Sequence, residues 1–366
     1  MRLILAIGLL LTGQASSAQT DTLRLIFAGD IMGHTPQIQS AALVPNQSYN
    51  YQPCFQYVKP LLEKADIAIG NLELTLPGKP PYTGYPMFRS PDALAVALKD
   101  AGFDLLVTAN NHSNDSKGAG VVSTIETLRN LEFVQTGTFK DARDRAALHP
   151  LMVYKNGFKI ALVNYTYGTN GIPTEAPTVV NLIDTAQIRK DLEEARARKP
   201  HFIIAVMHWG LEYQLIENAE QRALARFMIR HGADLIIGAH PHVVQPVNWE
   251  SVEMPNGQTK KALVVYSLGN FISNQQKVHT DGGIMFEIDL LHQKGVPYAE
   301  YGRYGMIPVF RYIHKSPEGK TTYYAIPAND WTKHPDAYPN MPATSQTALR
   351  TFFNGLTKRL ADCPQW

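Results

Sequence analysis

Several things are scarce in this chain of 366 residues, and each scarcity closes a door. A surplus of charge of one sign is missing: 34 Lys+Arg stand against 32 Asp+Glu, a formal net charge of +2. That balance gives no general electrostatic argument for nucleic acid or an anionic membrane as partner, so function must reside in a local site. Long hydrophobic runs are missing as well. The longest candidate, Leu3–Leu11, is about nine residues, against the roughly 20 needed to span a bilayer. Low-complexity blocks, internal repeats and a clear interdomain linker are also absent. Cysteine occurs twice, as Cys54 and Cys363. Because none precedes Cys54, a lipid-modified cysteine at the end of a leader is excluded. The pair is open to two readings, one disulfide tying the tail to the N-terminal half or two separate thiols.

What is present describes an ordered globular protein, with 45% hydrophobic and 18% charged residues. Met1-Arg2, the apolar run and the small residues Ser16-Ser17-Ala18 have the layout of a secretory signal cleaved after Ala18, which predicts a periplasmic or secreted product with no transmembrane segment in its mature form. The expected division is a signal over 1–18, one domain over 19–292, and a C-terminal extension over 293–366 packed on the same domain.

Beyond the leader, apolar runs alternate with amphipathic stretches. Strands are predicted at Leu23–Ala28, Ile67–Ile69, Leu105–Thr108, Ile160–Val163, Phe202–Met207, Leu235–Ile237 and Leu263–Tyr266. Helices are predicted at Pro91–Ala101, Gly120–Leu131, Thr185–Lys199 with Asp184 as cap, and Ala219–His231. This alternation predicts a layered α/β domain with a sheet covered on both faces. Ile284–Leu291, Ile307–Ile313 and Thr322–Ile326 have no helix between them and predict added antiparallel strands, followed by a closing helix over Ser345–Ala361.

The polar residues that follow each apolar run carry the chemistry. In order they are Gly29-Asp30, Gly70-Asn71-Leu72-Glu73, Asn110-Asn111-His112, His208-Trp209-Gly210-Leu211-Glu212, Gly238-Ala239-His240-Pro241-His242 and Ser267-Leu268-Gly269-Asn270. In open α/β sheets ligands bind at the carboxyl ends of the strands, so these residues meet on one rim. Four of the 12 histidines fall there. Imidazole with carboxylate and amide oxygen, and no sulfur, suits a divalent metal such as Mn, Fe or Zn. In the pair His240–His242, Pro241 restricts the backbone and disfavours a helical turn, so both rings can serve one site.

These blocks, in this order over residues 23–290, resemble the CapA/PgsA family of bacterial capsule-synthesis proteins linked to poly-γ-glutamate. That family is similar to the calcineurin-like metallophosphoesterases, which implies a four-layer α/β sandwich holding metal at its strand ends, here with the added C-terminal strands and terminal helix. The resemblance implies Asp30, Asn111, His208, His240 and His242 as metal ligands and His112 as the catalytic acid that protonates a leaving oxygen. Two positions depart from the pattern. Met32 stands where a histidine is usual, with His34 read as a loop residue. The bridging aspartate is replaced by Asn71 or Glu73, of which Glu73 is assigned because a carboxylate bridges cations and a neutral amide does so poorly.

Arg89 is a further candidate, as a planar fork for phosphate or carboxylate. Asp115 either orients His112 or caps the following helix, Glu212 is a partner for a ligand histidine, Asn270 satisfies loop backbone, and Trp209 and Tyr213 form walls. The expected function is a metal-dependent hydrolase of envelope-polymer biosynthesis acting on a phosphoester or an anionic polymer, in company with polymer-synthesis machinery. A non-catalytic accessory protein with a degenerate site is the alternative.

Overall fold

The computed structural model describes residues 20–43 and 48–365, so the predicted signal over 1–18 lies outside the described residues. Strands β1 (Thr20–Ile31), β2 (Ile67–Leu72), β3 (Leu105–Val107) and β4 (Val134–Thr136) run parallel, each paired with the next. The chain then builds a second, six-stranded sheet from β5 (Leu151–Lys155), β6 (Phe158–Thr166), β7 (Phe202–His208), β8 (Leu235–Ala239), β9 (Val247–Glu253) and β10 (Thr259–Val265). Its order is β9-β10-β8-β7-β6-β5, with four parallel central strands and an antiparallel strand at each edge. Finally it returns to the first sheet. There β11 (Asn270–Ile272) pairs parallel with β1, and β12 (Gly282–Gln293), β13 (Glu300–Lys315) and β14 (Thr321–Pro327) extend the sheet antiparallel beyond β1.

Side-chain alternation explains the layers. In β1, Leu23, Leu25 and Phe27 point to one face and Ile26 and Ala28 to the other. The first set packs against Ile160, Leu162, Ile204, Val206, Leu235 and Ile237 of the second sheet, forming the central core. The second set is covered by helices α1 (Ala93–Asp100) and α2 (Lys117–Asn130), through Leu94, Ala97, Leu98 and Leu128. On the outer face of the second sheet, Ala161, Val163, Ala205 and Met207 are covered by α3 (Thr185–Ala197) and α4 (Ala219–Arg230), through Ile188, Leu192, Ala225 and Met228. Helix, sheet, sheet, helix is the predicted four-layer sandwich. Helix α5 (Ala343–Arg359) inserts Leu349, Phe352 and Leu356 into the central core against Phe310 and Tyr312 of β13.

Asp184 caps α3 as predicted, accepting from the Ala186 and Gln187 amides. The two cysteines are free, buried thiols, Cys363 in the central core and Cys54 beneath the outer face of the first sheet, so the disulfide reading falls. Among the described residues no helix is long and apolar enough to cross a membrane.

One buried network fixes α3. Asp191, 2% exposed, accepts from Arg145 at 2.6 Å, Tyr165 at 2.6 Å and Gln187 at 2.9 Å. Burial pushes its carboxyl up, but the hydrogen bonds from His149, Arg145 and Tyr165 outweigh this and hold it well below the usual range. A depressed carboxyl contributes stability above its unfolded pKa of about 3.9 and loses it as pH falls further. Asp191→Asn leaves the partly buried Arg145 cation without its carboxylate, and we expect a loss of about 2 kcal/mol at pH 7 that shrinks below about pH 4, read by denaturant unfolding across pH.

Candidate metal centre

The two sheets present their carboxyl ends to each other, and both deliver polar side chains to the junction. Asp30 sits near the end of β1, in register with Asn71 of β2 and Asn270 of β11. Glu73 follows β2, Asn111 and His112 follow β3, His208 ends β7, and His240 and His242 follow β8. None of these residues is more than 4% exposed.

Glu73 is the centre of the arrangement. Its carboxylate is fully buried, and among the described residues neither oxygen has a hydrogen-bond partner. Its Oε1 lies 3.7 Å from His208 Nε2 and 3.8 Å from His242 Nε2, too far for hydrogen bonds and wide enough for an ion between them. Two donor trios, Glu73–His240–His242 and Asp30–Glu73–His208, each have their ligand atoms within 4.8 Å of one another, and Glu73 belongs to both. Asn71 is used differently, because its amide donates to Asp30 Oδ1 at 2.7 Å. Asn71 also lies 3.3 Å from His208 Nδ1, so Asn71 and Glu73 differ in their bonding.

The electrostatics suit a cation. Burial, then the neighbouring Asp30, pushes the Glu73 carboxyl well above its ordinary range. Burial, then the adjacent imidazoles, pushes His208 well below its ordinary value, and burial and His242 push His240 down to about 3. Neutral imidazoles keep lone pairs for a metal, and a buried carboxylate with no partner is costly unless a cation neutralises it. The donor set therefore fits a divalent ion.

Supporting bonds orient the donors. His242 Nδ1 lies 3.0 Å from Asp30 Oδ2 and 3.1 Å from Asn270 Oδ1, which leaves Nε2 turned toward Glu73. Such a hydrogen bond on the far nitrogen of a histidine fixes ring and tautomer. His208 Nε2 meets Asn111 Oδ1 at 2.8 Å. His240 has a buried Nδ1 without partner and a φ of 99°, and His242 has a φ of 59°. Two non-glycine residues in the left-handed region, flanking Pro241, are strained backbone held by the surrounding structure.

His112 stands beside this cluster. Its Nδ1 lies 2.7 Å from Asp115 Oδ2, which also accepts the Phe88 amide at 2.5 Å. Asp115 is therefore bonded to His112, whereas Ser116 holds the N-cap of α2. Arg89 pairs through its backbone with Thr75 and Thr83; its Nε is buried without a partner, and no bond joins it to the cluster. Asn270 does the expected backbone work, donating to Thr280 O at 3.0 Å, besides reaching His242. His34 caps the helix Thr35–Ala41 and packs on Phe88 at 4.8 Å, and it belongs to neither donor trio. Glu212 Oε1 is 4.0 Å from His242 Nε2.

Tyr167 is the residue that sequence reading missed. It follows β6, lies 4.5 Å from the His240 ring and stacks at 9° to His208. The run Ile160–Val163 continues into Asn164-Tyr165-Thr166-Tyr167-Gly168, a polar strand end like the others, and that was its signal.

Close backbone approach seats the site. A Cβ on Gly29 would lie 1.9 Å from the Gly269 carbonyl oxygen, which accepts the Asp30 amide at 3.0 Å. Gly29→Ala must push Gly269 and Asn270 off β1, and we expect a loss of about 2 kcal/mol in thermal or denaturant unfolding together with weaker metal retention.

Residues 24–275 match the family described as bacterial capsule synthesis protein PGA_cap. The chain belongs to this family. Similar members include the capsule biosynthesis protein CapA of Bacillus anthracis, 28% identical over 74% of this chain and 65% of that one. The PGA biosynthesis protein CapA of Bacillus subtilis (strain 168) is 28% identical over 76% of this chain and 70% of that one. The match thus spans slightly less than two thirds of the B. anthracis protein. Among solved structures, the NAD nucleotidase NadN of Haemophilus influenzae superposes with a TM-score of 0.50 at 14% identity, over 94% of this chain and 61% of that one. That likeness concerns the fold, a sandwich of the metallophosphoesterase type.

Proposed function

We propose that this capsule-synthesis family member is an exported, metal-dependent hydrolase of envelope-polymer biosynthesis that cleaves a phosphoester, with its site carried by residues 19–292 and with 293–366 packed on the same domain. The observation that supports this most is the buried Glu73 carboxylate, bare on both oxygens and shared by two donor trios. Asp30, Glu73, Asn111, His208, His240 and His242 would hold one or two divalent ions. When bound, such ions supply Lewis-acid polarisation and charge neutralisation at a phosphoryl group.

The chain's own residues supply the rest. His112, fixed through Nδ1 by Asp115, delivers a proton from Nε2 to the leaving oxygen, so that the alcohol departs neutral. Asp115 selects the tautomer and balances the imidazolium charge. Tyr167 covers the His208 and His240 rings and restricts water on that side. Arg89, with an unpaired Nε, serves as a fork for the substrate's remaining negative charge.

The test is turnover of bis-p-nitrophenyl phosphate by the purified chain. Activity should disappear on chelation and return with added Mn, Fe or Zn. Turnover indifferent to chelation would contradict the proposal, as would no turnover of any ester by fully metal-loaded protein. The latter result favours the accessory role.

A further inference from the structure

A cavity of about 830 Å³ opens directly beside the candidate metal centre, on the outer side of the second sheet. It runs between the start of α3 and the exposed side of α4, and His240, Glu212 and Tyr167 form its inner end. The groove and the cluster therefore share a wall: His240 belongs to one donor trio, and Glu212 approaches His242.

The chemistry of the groove is the reverse of what an anionic polymer requires. Among the described residues no lysine or arginine lines it, and its two charged side chains are the carboxylates Glu212 and Glu220. The helix N-termini that open toward it are already served, Asp184 accepting from the α3 amides and Asn218 from the Gln221 amide of α4. Ile183, Leu211, Leu224 and Phe227 supply the apolar surface. Leu211 and Tyr167, 59% and 48% exposed, add to this apolar surface beside the cluster.

We propose that the substrate is an amphiphilic phosphoester whose phosphoryl group sits at the His–carboxylate cluster and whose hydrocarbon chain, acyl or isoprenoid in type, lies in this groove. The placement of the phosphoryl group rests on the hydrolase reading; the placement of the chain rests on the groove. A strand of γ-linked glutamate has its charges repelled here, so the polymer itself is not the occupant. Hydrolysis adds water across the P–O bond, leaving phosphate at the cluster and a neutral alcohol on the chain to leave along the groove.

Binding separates the two claims, because it needs no turnover. Methyl-, butyl- and octylphosphonate, below micellar concentration, are titrated calorimetrically into Mn-loaded full-length chain. Each buried methylene is worth roughly fourfold in affinity at full burial, so octylphosphonate should bind at least about tenfold tighter than methylphosphonate. The octyl-to-methyl ratio should collapse in Leu211→Asp, an exposed loop position whose change does not threaten the core, with metal content confirming an intact centre. Equal affinity for all three phosphonates overturns the groove assignment and leaves the hydrolase reading standing. A preserved chain-length preference, with no ester hydrolysed, supports the groove and overturns the hydrolase. Displacement of octylphosphonate by a γ-glutamate oligomer, with no such effect of a long-chain alcohol, overturns the proposal in favour of the polymer.

Discussion

If the proposed hydrolase reading holds, His112→Ala should lower phosphoester turnover by about 10²–10⁴-fold, the usual contribution of a positioned general acid, and leave bound metal unchanged. The separation of effects follows from geometry. His112 bonds to Asp115 and packs on the Phe88 ring at 4.5 Å, whereas the two donor trios are assembled without it. Its loss should fall on kcat more than on KM, because protonating the leaving oxygen matters in the transition state. Asp115→Asn should show the same pattern with a smaller loss, since the imidazole remains but its tautomer and orientation are no longer held. Steady-state kinetics with metal content measured on the same preparation checks both. A His112→Ala variant that turns over substrate undiminished removes the assigned role.

Glu73→Gln produces the second large effect, and its sign depends on metal. In metal-free protein at pH 7 the substitution should raise stability, because it removes a buried carboxyl whose two oxygens have no hydrogen-bond partner. With metal the order should reverse. The parent gains about 2.7 kcal/mol at a metal concentration 100 times Kd, while the variant, lacking the shared ligand, gains little. Loss of a direct ligand should weaken affinity by more than the roughly 10–100-fold typical of outer hydrogen-bond partners. Thermal unfolding of both proteins with and without Mn gives four midpoints, and the expected pattern is a crossing. If Glu73→Gln destabilises the metal-free protein and leaves the metal-dependent gain intact, Glu73 is a structural residue and the centre lies elsewhere.

The layers were legible in the sequence because parallel strands buried on both faces read as unbroken apolar runs, as in Phe202–Met207 and Leu235–Ile237. Edge strands carry weaker patterns, and these escaped notice. β5 (Leu151–Lys155) has no fully buried residue, β9 (Val247–Glu253) alternates with only two, and β11 is three residues long. At the site, the strand-end rule gathers Asp30, Glu73, Asn111, His208, His240 and His242, and the structure does bring these side chains together. What the sequence leaves open is what depends on distance across the fold. Asn71 and Glu73 differ in bonding because Asn71 reaches Asp30. Cys54 and Cys363 remain thiols because different packing clusters hold them. The bond between His112 and Asp115, three residues apart, is local in the chain, so both of its possible roles could be anticipated.

The measurement that tests the account most directly is the metal content of the purified full-length chain by elemental mass spectrometry, beside Glu73→Gln and a His240→Ala/His242→Ala double variant. The account predicts one or two equivalents of Mn, Fe or Zn in the parent and their loss in both variants. No bound metal in the parent, even after reconstitution, or retention in both variants, would contradict it.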